Sequence, residues 1–384
     1  MKVLVATDKP FAKVAVDGIR KEIEAAGYEL VLLEKYGEKA KLLEAVKDAN
    51  AIIIRSDIID AEVLDAAKEL KIVVRAGAGY DNVDLEAATA HNVCVMNTPG
   101  QNSNAVAELA FGLMVMAVRN MYNGTSGTEL MGKKLGIIGL GAIGAMVANA
   151  ASALGMEVYG YDPYISIDAA WNLSRTIKHI KSLDEIYSQC DYITIHVPLL
   201  DSTRQMINKE ALDKMKDGVV LLNFARDLLV DEDALIEALD SGKVKKYVTD
   251  FANHTVAGHK GILVTPHLGA STEESEENCA VMAVKEVRDF LENGNIKNSV
   301  NFPNCDMGTC VAVGRIAICH KNIPNMISQF TKILGAEGLN IADMTNKSKG
   351  EYAYTLIDLE SAASREALDE LKAIEGVSRV RVVK

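Results

Sequence analysis

The sequence lacks the features of membrane-spanning, disulfide-stapled and nucleic-acid-binding proteins. No apolar run approaches the roughly 18 residues of a membrane helix. The opening segment MKVLVATDKP is too short for a signal peptide and predicts a first strand. The six cysteines show no CxxC spacing, which predicts reduced thiols and a cytoplasmic protein. A net charge of −12 argues against partners such as nucleic acid or an anionic membrane.

What the chain does have is a long alternation of apolar strands and amphipathic helices. The strands of a first series read KVLVA, YELVLLE, ANAIIIRS, LKIVVRAG and NVCVMNTP. A second series starts at KKLGIIGLGAIG and ends at GILVTPHLG. Such alternation is typical of parallel sheets covered by helices on both faces. The sequence therefore predicts an α/β fold with two doubly wound parallel sheets.

The pattern changes after the second series. The segment STEESEENCAVMAVKEVRDFLENG predicts a helix in which Ser271 and Glu274 are spaced as a capping box, and it closes on Gly294. A linker follows, NSVNFPNCDMGTC. The remaining segments, from GRIAICH to VSRVRVVK, predict a small βαββαβ unit of the ferredoxin-like kind.

A glycine-rich turn indicates a dinucleotide site. Gly139, Gly141 and Gly144 have G-x-G-x-x-G spacing between a β-run and a helix. In this Rossmann arrangement the glycines allow a tight turn, close approach of a pyrophosphate and close packing of helix on strand. The next strand ends in Asp162, 18 residues after Gly144 (162 − 144), about where a ribose diol is bound. An acidic residue there favours NAD over NADP.

Polar residues follow the strands of the second series. They are His196, Asn223, Arg226, Asp250 and His267. Because ligands of open parallel sheets bind beyond the carboxyl ends of the strands, we expect these side chains to converge. Hydride transfer to a ketone needs a proton donor for the nascent alkoxide and a cation to hold the substrate carboxylate. A histidine and an arginine meet these needs.

The combined motifs GIIGLGAIG, IHVPL, NFAR, VDEDAL and TPHLGAS resemble the D-isomer-specific 2-hydroxyacid dehydrogenases. RAGAGYDNVD, NTPGQNSNAVAELAFGL and the βαββαβ tail resemble the branch of that family that acts on D-3-phosphoglycerate and carries an ACT domain. The resemblance implies a substrate-binding domain from 1–98 and 271–300, an NAD-binding domain from 99–270, a linker at 301–312 and an ACT regulatory domain at 313–384.

The resemblance also implies roles for individual residues. Arg226 would hold the substrate carboxylate, and His267 would donate and accept the proton. The implied substrate contacts are Arg55, Ser56, Arg75, Ala76, Gly77 and Asn102. The implied NAD contacts are Gly139, Gly141, Ala142, Ile143, Gly144, Asp162, His196, Val197, Pro198, Thr203, Asn223, Ala225, Asp250, His267 and Gly269. In the tail, His320, Asn322 and Asn340 would bind L-serine as an effector. No cluster has metal-ligand spacing, so no metal is expected.

Two departures from the family pattern concern the reacting site. Asp227 follows Arg226 where the family has glycine, and the glutamate that should pair with His267 is replaced, in DFANHTVAG, by His254 or Thr255. Asp250 or a glutamate from elsewhere could then serve the histidine.

The resemblance implies oxidation of D-3-phosphoglycerate to 3-phosphohydroxypyruvate, the first step of serine biosynthesis, in a homodimer or homotetramer. Two alternatives stay open. One is another D-2-hydroxyacid dehydrogenase, such as a glycerate or hydroxypyruvate reductase. The other is a catalytically weak, NAD-sensing regulatory protein.

Overall fold

In the computed structural model, which describes residues 1–384, the chain leaves a first unit and later returns to it. The first unit comprises Met1–Gln101 and Glu276–Lys384, and the second comprises Asn102–Ser275. None of the helices combines the length and the apolar character needed to cross a membrane.

The first unit begins with a five-stranded parallel sheet. Its elements are β1 (Lys2–Thr7), α1 (Lys13–Ala25), β2 (Glu29–Glu34), α2 (Lys39–Ala45), β3 (Ala51–Ile54), α3 (Ala61–Ala66), β4 (Ile72–Arg75), α4 (Leu85–Ala90) and β5 (Cys94–Asn97). The strand order is β2-β1-β3-β4-β5. Strand β3 is completely buried, as its continuous apolar run AIII predicts for a parallel sheet that is covered on both faces.

The second unit holds a seven-stranded parallel sheet. Its elements are α5 (Ser103–Val118), β6 (Lys134–Ile138), α6 (Ala142–Ala153), β7 (Glu157–Tyr161), α7 (Ile167–Trp171), β8 (Lys178–His179), α8 (Leu183–Gln189), β9 (Tyr192–Ile195), α9 (Lys209–Lys214), β10 (Val219–Asn223), α10 (Glu232–Asp240), β11 (Val244–Thr249) and β12 (Ile262–Val264). The order β12-β11-β10-β9-β6-β7-β8 reverses direction between β6 and β9. Such a switch point is where open α/β sheets bind their ligands.

A long helix, α11 (Glu273–Asn293), leads back to the first unit. The side chain of Thr272 accepts a hydrogen bond from the Ser275 amide at 3.2 Å. The predicted cap at Ser271 was therefore wrong by one residue, because the helix starts one position later than the spacing suggested. The predicted end is confirmed, since Gly294 follows α11 with a φ of +76°.

The C-terminal part forms an antiparallel sheet. Its elements are β13 (Gly314–Lys321), α12 (Met326–Ala336), β14 (Ile341–Lys349), β15 (Tyr352–Leu359), α13 (Arg365–Ala373) and β16 (Val377–Val382). The order β14-β15-β13-β16 is ferredoxin-like. Its outer face shares a core with the first sheet through Phe290, Ala317 and Tyr354. The predicted fold class, two doubly wound parallel sheets and a βαββαβ unit, is confirmed.

Candidate functional site

The glycine turn after β6 has the geometry of a phosphate cradle. A methyl group on Gly144 would collide with the carbonyl oxygen of Gly139, so the close approach of α6 to the turn requires glycine there. Gly141 is the N-cap residue of α6, makes no side-chain cap and has open space where a Cβ would lie. The first amides of α6, at Ala142 and Ile143, thus stay available for an anion.

Asp162 follows β7 and organises the neighbouring turn. Its Oδ2 accepts a hydrogen bond from the Leu140 amide at 2.9 Å, and its Oδ1 accepts one from the Tyr164 amide at 2.9 Å. The carboxylate is therefore held at the tip of β7, next to the glycine turn. A carboxylate can accept further bonds, so this position suits two ribose hydroxyls.

Three further residues implied as NAD contacts shape the loops that follow β9 and β10. Burial lowers the pKa of His196 to about 4, so the ring is neutral, and its Nε2 lies 2.9 Å from Thr194 Oγ1. Thr203 Oγ1 donates to the carbonyl of Pro198 at 2.7 Å and closes the loop that begins at Val197. The amide of Asn223 donates to the Arg226 carbonyl at 2.8 Å. These contacts fix loop shape.

Arg226 lies in the loop after β10. Its Nη1 donates to the carbonyl of Ala225 at 2.7 Å, and its side chain is only partly buried. Asp227, where the family has glycine, accepts a hydrogen bond from the Leu228 amide at 2.8 Å on its Oδ1. The extra carboxylate thus stabilises the short helical turn Asp227–Leu229.

His267 has a carboxylate partner after all. Its Nδ1 lies 2.9 Å from Oδ2 of Asp250, which is 97% buried while the histidine side chain is 63% exposed. The ring of Phe251 packs on the imidazole at 4.8 Å between centroids. Asp250 directly follows β11 and His267 follows β12, its hydrogen-bonded neighbour, so strand pairing brings the two together. Because the carboxylate engages Nδ1, Nε2 is the nitrogen available to exchange a proton.

The two other histidines of the segment stand apart from this pair. His259 bonds Asp240 at 3.2 Å through Nε2 and accepts from the Gly261 amide on Nδ1, so it shapes the loop before β12. His254 and Thr255, at the position of the family's glutamate, are exposed. Asp250 therefore takes the place of the missing glutamate beside His267.

The second unit also contains buried polar atoms that suit NAD. Oδ1 of Asp250 is buried and has no hydrogen-bond partner, although the other oxygen of this carboxylate bonds His267. A carboxamide N–H is the kind of donor that such an acceptor requires. A Cβ on Gly269 would lie 3.6 Å from Asp250 Oδ2, an ordinary van der Waals distance, so Gly269 is a neighbour of this carboxylate. Oδ1 of Asn102, which precedes α5 and was predicted as a substrate contact, is likewise buried and unbonded.

In the first unit, the two predicted anion-binding arginines follow neighbouring strands. Arg75 is the last residue of β4, and Arg55 directly follows β3. Gly77 has a φ of +149°, and a Cβ there would collide with the Arg75 guanidinium. Glycine at this position therefore lets the arginine fold over the turn that includes Ala76. Ser56, beside Arg55, is exposed.

Arg55 is already engaged in this structure. Its Nη2 pairs with Oε1 of Glu276 at 2.5 Å, and its Nη1 donates to the carbonyls of Pro10 and Lys9 at 2.9 and 3.3 Å. Its guanidinium carbon also lies 5.2 Å from the Phe11 ring centroid. Our sequence analysis missed Glu276, because nothing in the acidic run EESEE distinguishes it from its neighbours.

The implied serine-binding residues are divided between the interior and the surface of the C-terminal sheet. His320 is buried, with Nδ1 bonded to the Lys321 carbonyl at 2.8 Å and Nε2 lying 2.9 Å from Thr355 Oγ1. Burial lowers its pKa. Asn340 is exposed, and Asn322 donates to the Gly350 carbonyl at 3.2 Å. Asn325, the N-cap residue of α12, has a left-handed backbone conformation with a φ of +71°.

A second carboxyl group that our sequence analysis missed lies in α11. Glu286 is buried, accepts from Asn298 Nδ2 at 2.7 Å on Oε1, and has no partner for Oε2. Burial raises its pKa to about 8. Across the structure, no group of three or more His, Cys, Asp and Glu side chains could hold a metal ion.

Comparison with known proteins places the chain in a family. Residues 109–269 match the family described as "D-isomer specific 2-hydroxyacid dehydrogenase, NAD binding domain". A D-3-phosphoglycerate dehydrogenase of Haemophilus influenzae is 33% identical over 94% of this chain and 93% of its own length. One of Methanocaldococcus jannaschii is 37% identical over 71% of this chain, which spans only 57% of that relative.

A solved structure of the same kind of enzyme is similar to this chain in fold and in sequence. NAD⁺-bound 3-phosphoglycerate dehydrogenase of Entamoeba histolytica superposes with a TM-score of 0.71 at 39% identity, over 78% of this chain and 98% of that one. Together with the glycine cradle and the unbonded Asp250 oxygen, these matches confirm the prediction that the cofactor is NAD. The chain belongs to the D-isomer-specific 2-hydroxyacid dehydrogenases, a family of NAD-dependent oxidoreductases.

Proposed function

We propose that this chain oxidises D-3-phosphoglycerate to 3-phosphohydroxypyruvate with NAD and runs the reaction in both directions, as the first step of L-serine biosynthesis. The observation that carries the proposal is the match with the Haemophilus influenzae enzyme over nearly the full length of both chains. The arginines Arg55 and Arg75, at neighbouring strand ends of an otherwise acidic protein, add support, because a phosphorylated acid requires concentrated positive charge.

The proton step is assigned to His267. Oxidation of the hydroxy acid sends a hydride from carbon to the nucleotide and a proton from oxygen to a base. When bound, NAD supplies the hydride acceptor. Nε2 of His267 takes the proton, and Asp250 at Nδ1 stabilises the imidazolium that forms and holds the ring in orientation. In the reverse direction the same nitrogen returns the proton to the nascent alkoxide.

Substrate anions are assigned to arginines. Arg226 would hold the carboxylate through the planar fork of its guanidinium. In the first unit, Arg75 and Arg55 would hold the phosphate. We accordingly propose 1–98 with 271–300 as the substrate-binding domain, 99–270 as the NAD-binding domain, 301–312 as the linker and 313–384 as an ACT domain.

The C-terminal sheet is the proposed site of regulation and assembly. L-serine would act as a feedback effector at His320, Asn322 and Asn340, in a cytoplasmic homodimer or homotetramer. The exposed positions of Asn340 and Asn322 are compatible with a ligand held between two such sheets. Initial rates measured at rising millimolar serine test this role, and an unchanged rate would remove it.

The decisive experiment compares two keto acids. We expect NADH oxidation with 3-phosphohydroxypyruvate at a kcat/KM at least about tenfold above that with unphosphorylated hydroxypyruvate. Equal or inverted preference would favour the second candidate, a hydroxypyruvate or glycerate reductase, which the pairing of Arg55 with Glu276 makes worth testing. No turnover of either acid would favour the NAD-sensing alternative, against which the Asp250–His267 pair argues.

A further inference from the structure

An ion pair in the first unit involves Arg55, one of the two arginines proposed to hold the substrate phosphate. Arg55 and Glu276 are 221 residues apart in sequence, yet their side chains meet at 2.5 Å and are only 21% and 19% exposed. An ion pair with this little exposure is weakly screened by solvent. The contact therefore changes how strongly Arg55 attracts any other anion.

Most of the hydrogen-bonding capacity of Arg55 is already used. A guanidinium has five N–H donors. Two of them, on Nη1, serve the carbonyls of Lys9 and Pro10, and one on Nη2 serves Glu276. The backbone carbonyls hold the guanidinium in place without neutralising it, whereas the Glu276 carboxylate cancels its charge. An incoming oxyanion must compete with Glu276 for the Nη2 edge.

The charges of Glu276 and of both arginines reach one buried side chain of α11. The thiol of Cys279, one turn further along α11, experiences the charges of Arg75, Arg55 and Glu276 together. Two positive charges and one negative charge thus act on the same small region.

We propose that Glu276 is a specificity-determining residue that occupies the Nη2 edge of Arg55 and competes there with the anionic tail of the substrate. Because Glu276 competes with the substrate for Arg55, it weakens the binding of phosphorylated acids. It thereby reduces the ratio of the affinity for phosphorylated acids to the affinity for unphosphorylated ones. The inference rests on the proposed function for the identity of the substrate. The competition with oxyanions at Arg55 can be tested without it.

The test uses the full-length protein and the substitution Glu276→Gln, which keeps the shape and removes the charge. We expect KM for 3-phosphohydroxypyruvate to fall by about threefold to tenfold. KM for hydroxypyruvate and kcat should stay within about twofold, because neither depends on the phosphate contact. Glu292→Gln is the matched control, since Glu292 lies on the same helix and pairs with Arg288 at 3.1 Å.

Binding of inorganic phosphate, followed by calorimetry, separates this inference from the proposed function. Tighter phosphate binding by Glu276→Gln and not by Glu292→Gln would support the role of Glu276, even if the parent protein turned over neither keto acid. A second variant, Glu276→Ser, should shift phosphate binding in the same direction if the glutamine variant is poorly folded. Unchanged or weaker phosphate binding in a folded variant would overturn the inference, because Glu276 would then only orient Arg55.

Discussion

The two units contain the same kind of contact with opposite proposed consequences. In the second unit Asp250 pairs with His267, and in the first unit Glu276 pairs with Arg55. Each joins a carboxylate to the residue assigned to chemistry or binding. Asp250 engages the nitrogen that does not react, so its charge assists the proton step. Glu276 engages the donors that the substrate would use, so its charge opposes binding. The effect of a carboxylate on a neighbouring functional side chain thus depends on which atoms of that side chain it bonds.

This comparison predicts that changes at the Asp250–His267 pair act mainly on kcat and that changes beside Arg55 and Arg75 act on KM. The largest effect should come from His267→Asn, which removes the proton donor and acceptor. We expect kcat for NADH oxidation to fall by about 10³-fold, measured in steady-state assays with 3-phosphohydroxypyruvate. His259→Asn, in the same segment but bonded to Asp240, is the control and should keep the parental kcat. A fall in kcat of less than tenfold in His267→Asn would contradict the assignment of the proton step to His267.

The next largest effect should follow Asp250→Asn. The amide keeps the volume but cannot stabilise an imidazolium, so we expect kcat to fall by about 10²-fold. NAD affinity should weaken as well, because the unbonded Oδ1 is the proposed acceptor for the carboxamide. Stopped-flow rates with both keto acids would report the same loss. A kcat within twofold of the parent would mean that another carboxylate serves His267.

In the first unit, Gly77→Ala should act on KM. The new methyl group would collide with the Arg75 guanidinium and displace it. We expect KM for the phosphorylated acid to rise by about tenfold at unchanged kcat. Gly100→Ala is the matched control, since Gly100 also has a positive φ, of +84°, but has open space around its Cβ position. Equal KM in both variants would show that Arg75 does not bind the phosphate.

The smallest effect on activity concerns Glu286, a buried carboxyl group whose Oε2 has no hydrogen-bond partner. Its folded pKa of about 8 lies above the usual 4.5, so the folded state keeps a proton that the unfolded chain loses. Stability therefore falls as pH rises from 4.5 to 8. Glu286→Gln should remove this loss and raise the free energy of unfolding at pH 8 by roughly 4 kcal/mol, with a higher Tm and no gain at pH 4.5.

Thermal scans at the two pH values test this prediction. Glu277→Gln, an exposed position on the same helix, should give no pH-dependent gain. A gain of the same size at pH 4.5 would show that the effect comes from packing rather than from protonation. In either case activity should be unaffected, in contrast to the variants at His267 and Asp250.

Much of the fold could be predicted because it depends on local patterns. Apolar runs of strand length, helical periodicity and the glycine turn at Gly139 act through neighbouring residues, so they can be read in order along the chain. The βαββαβ tail was predicted on the same basis. The cap of α11 was misplaced by one residue, because Ser271 and Thr272 are adjacent and both belong to residue types favoured at N-caps, so local preference does not single out Thr272.

The sequence by itself determined the succession of strands and helices, the NAD-binding turn, and the placing of His267, Arg226, Arg75 and Arg55 at strand ends. Only the tertiary structure decided which carboxylate meets which cation. The pairing of β11 with β12 brings Asp250 to His267, and the return of the chain through α11 brings Glu276 to Arg55. Ion pairs depend on distance in space, and sequence spacing does not reveal that distance between residues on separate strands and helices.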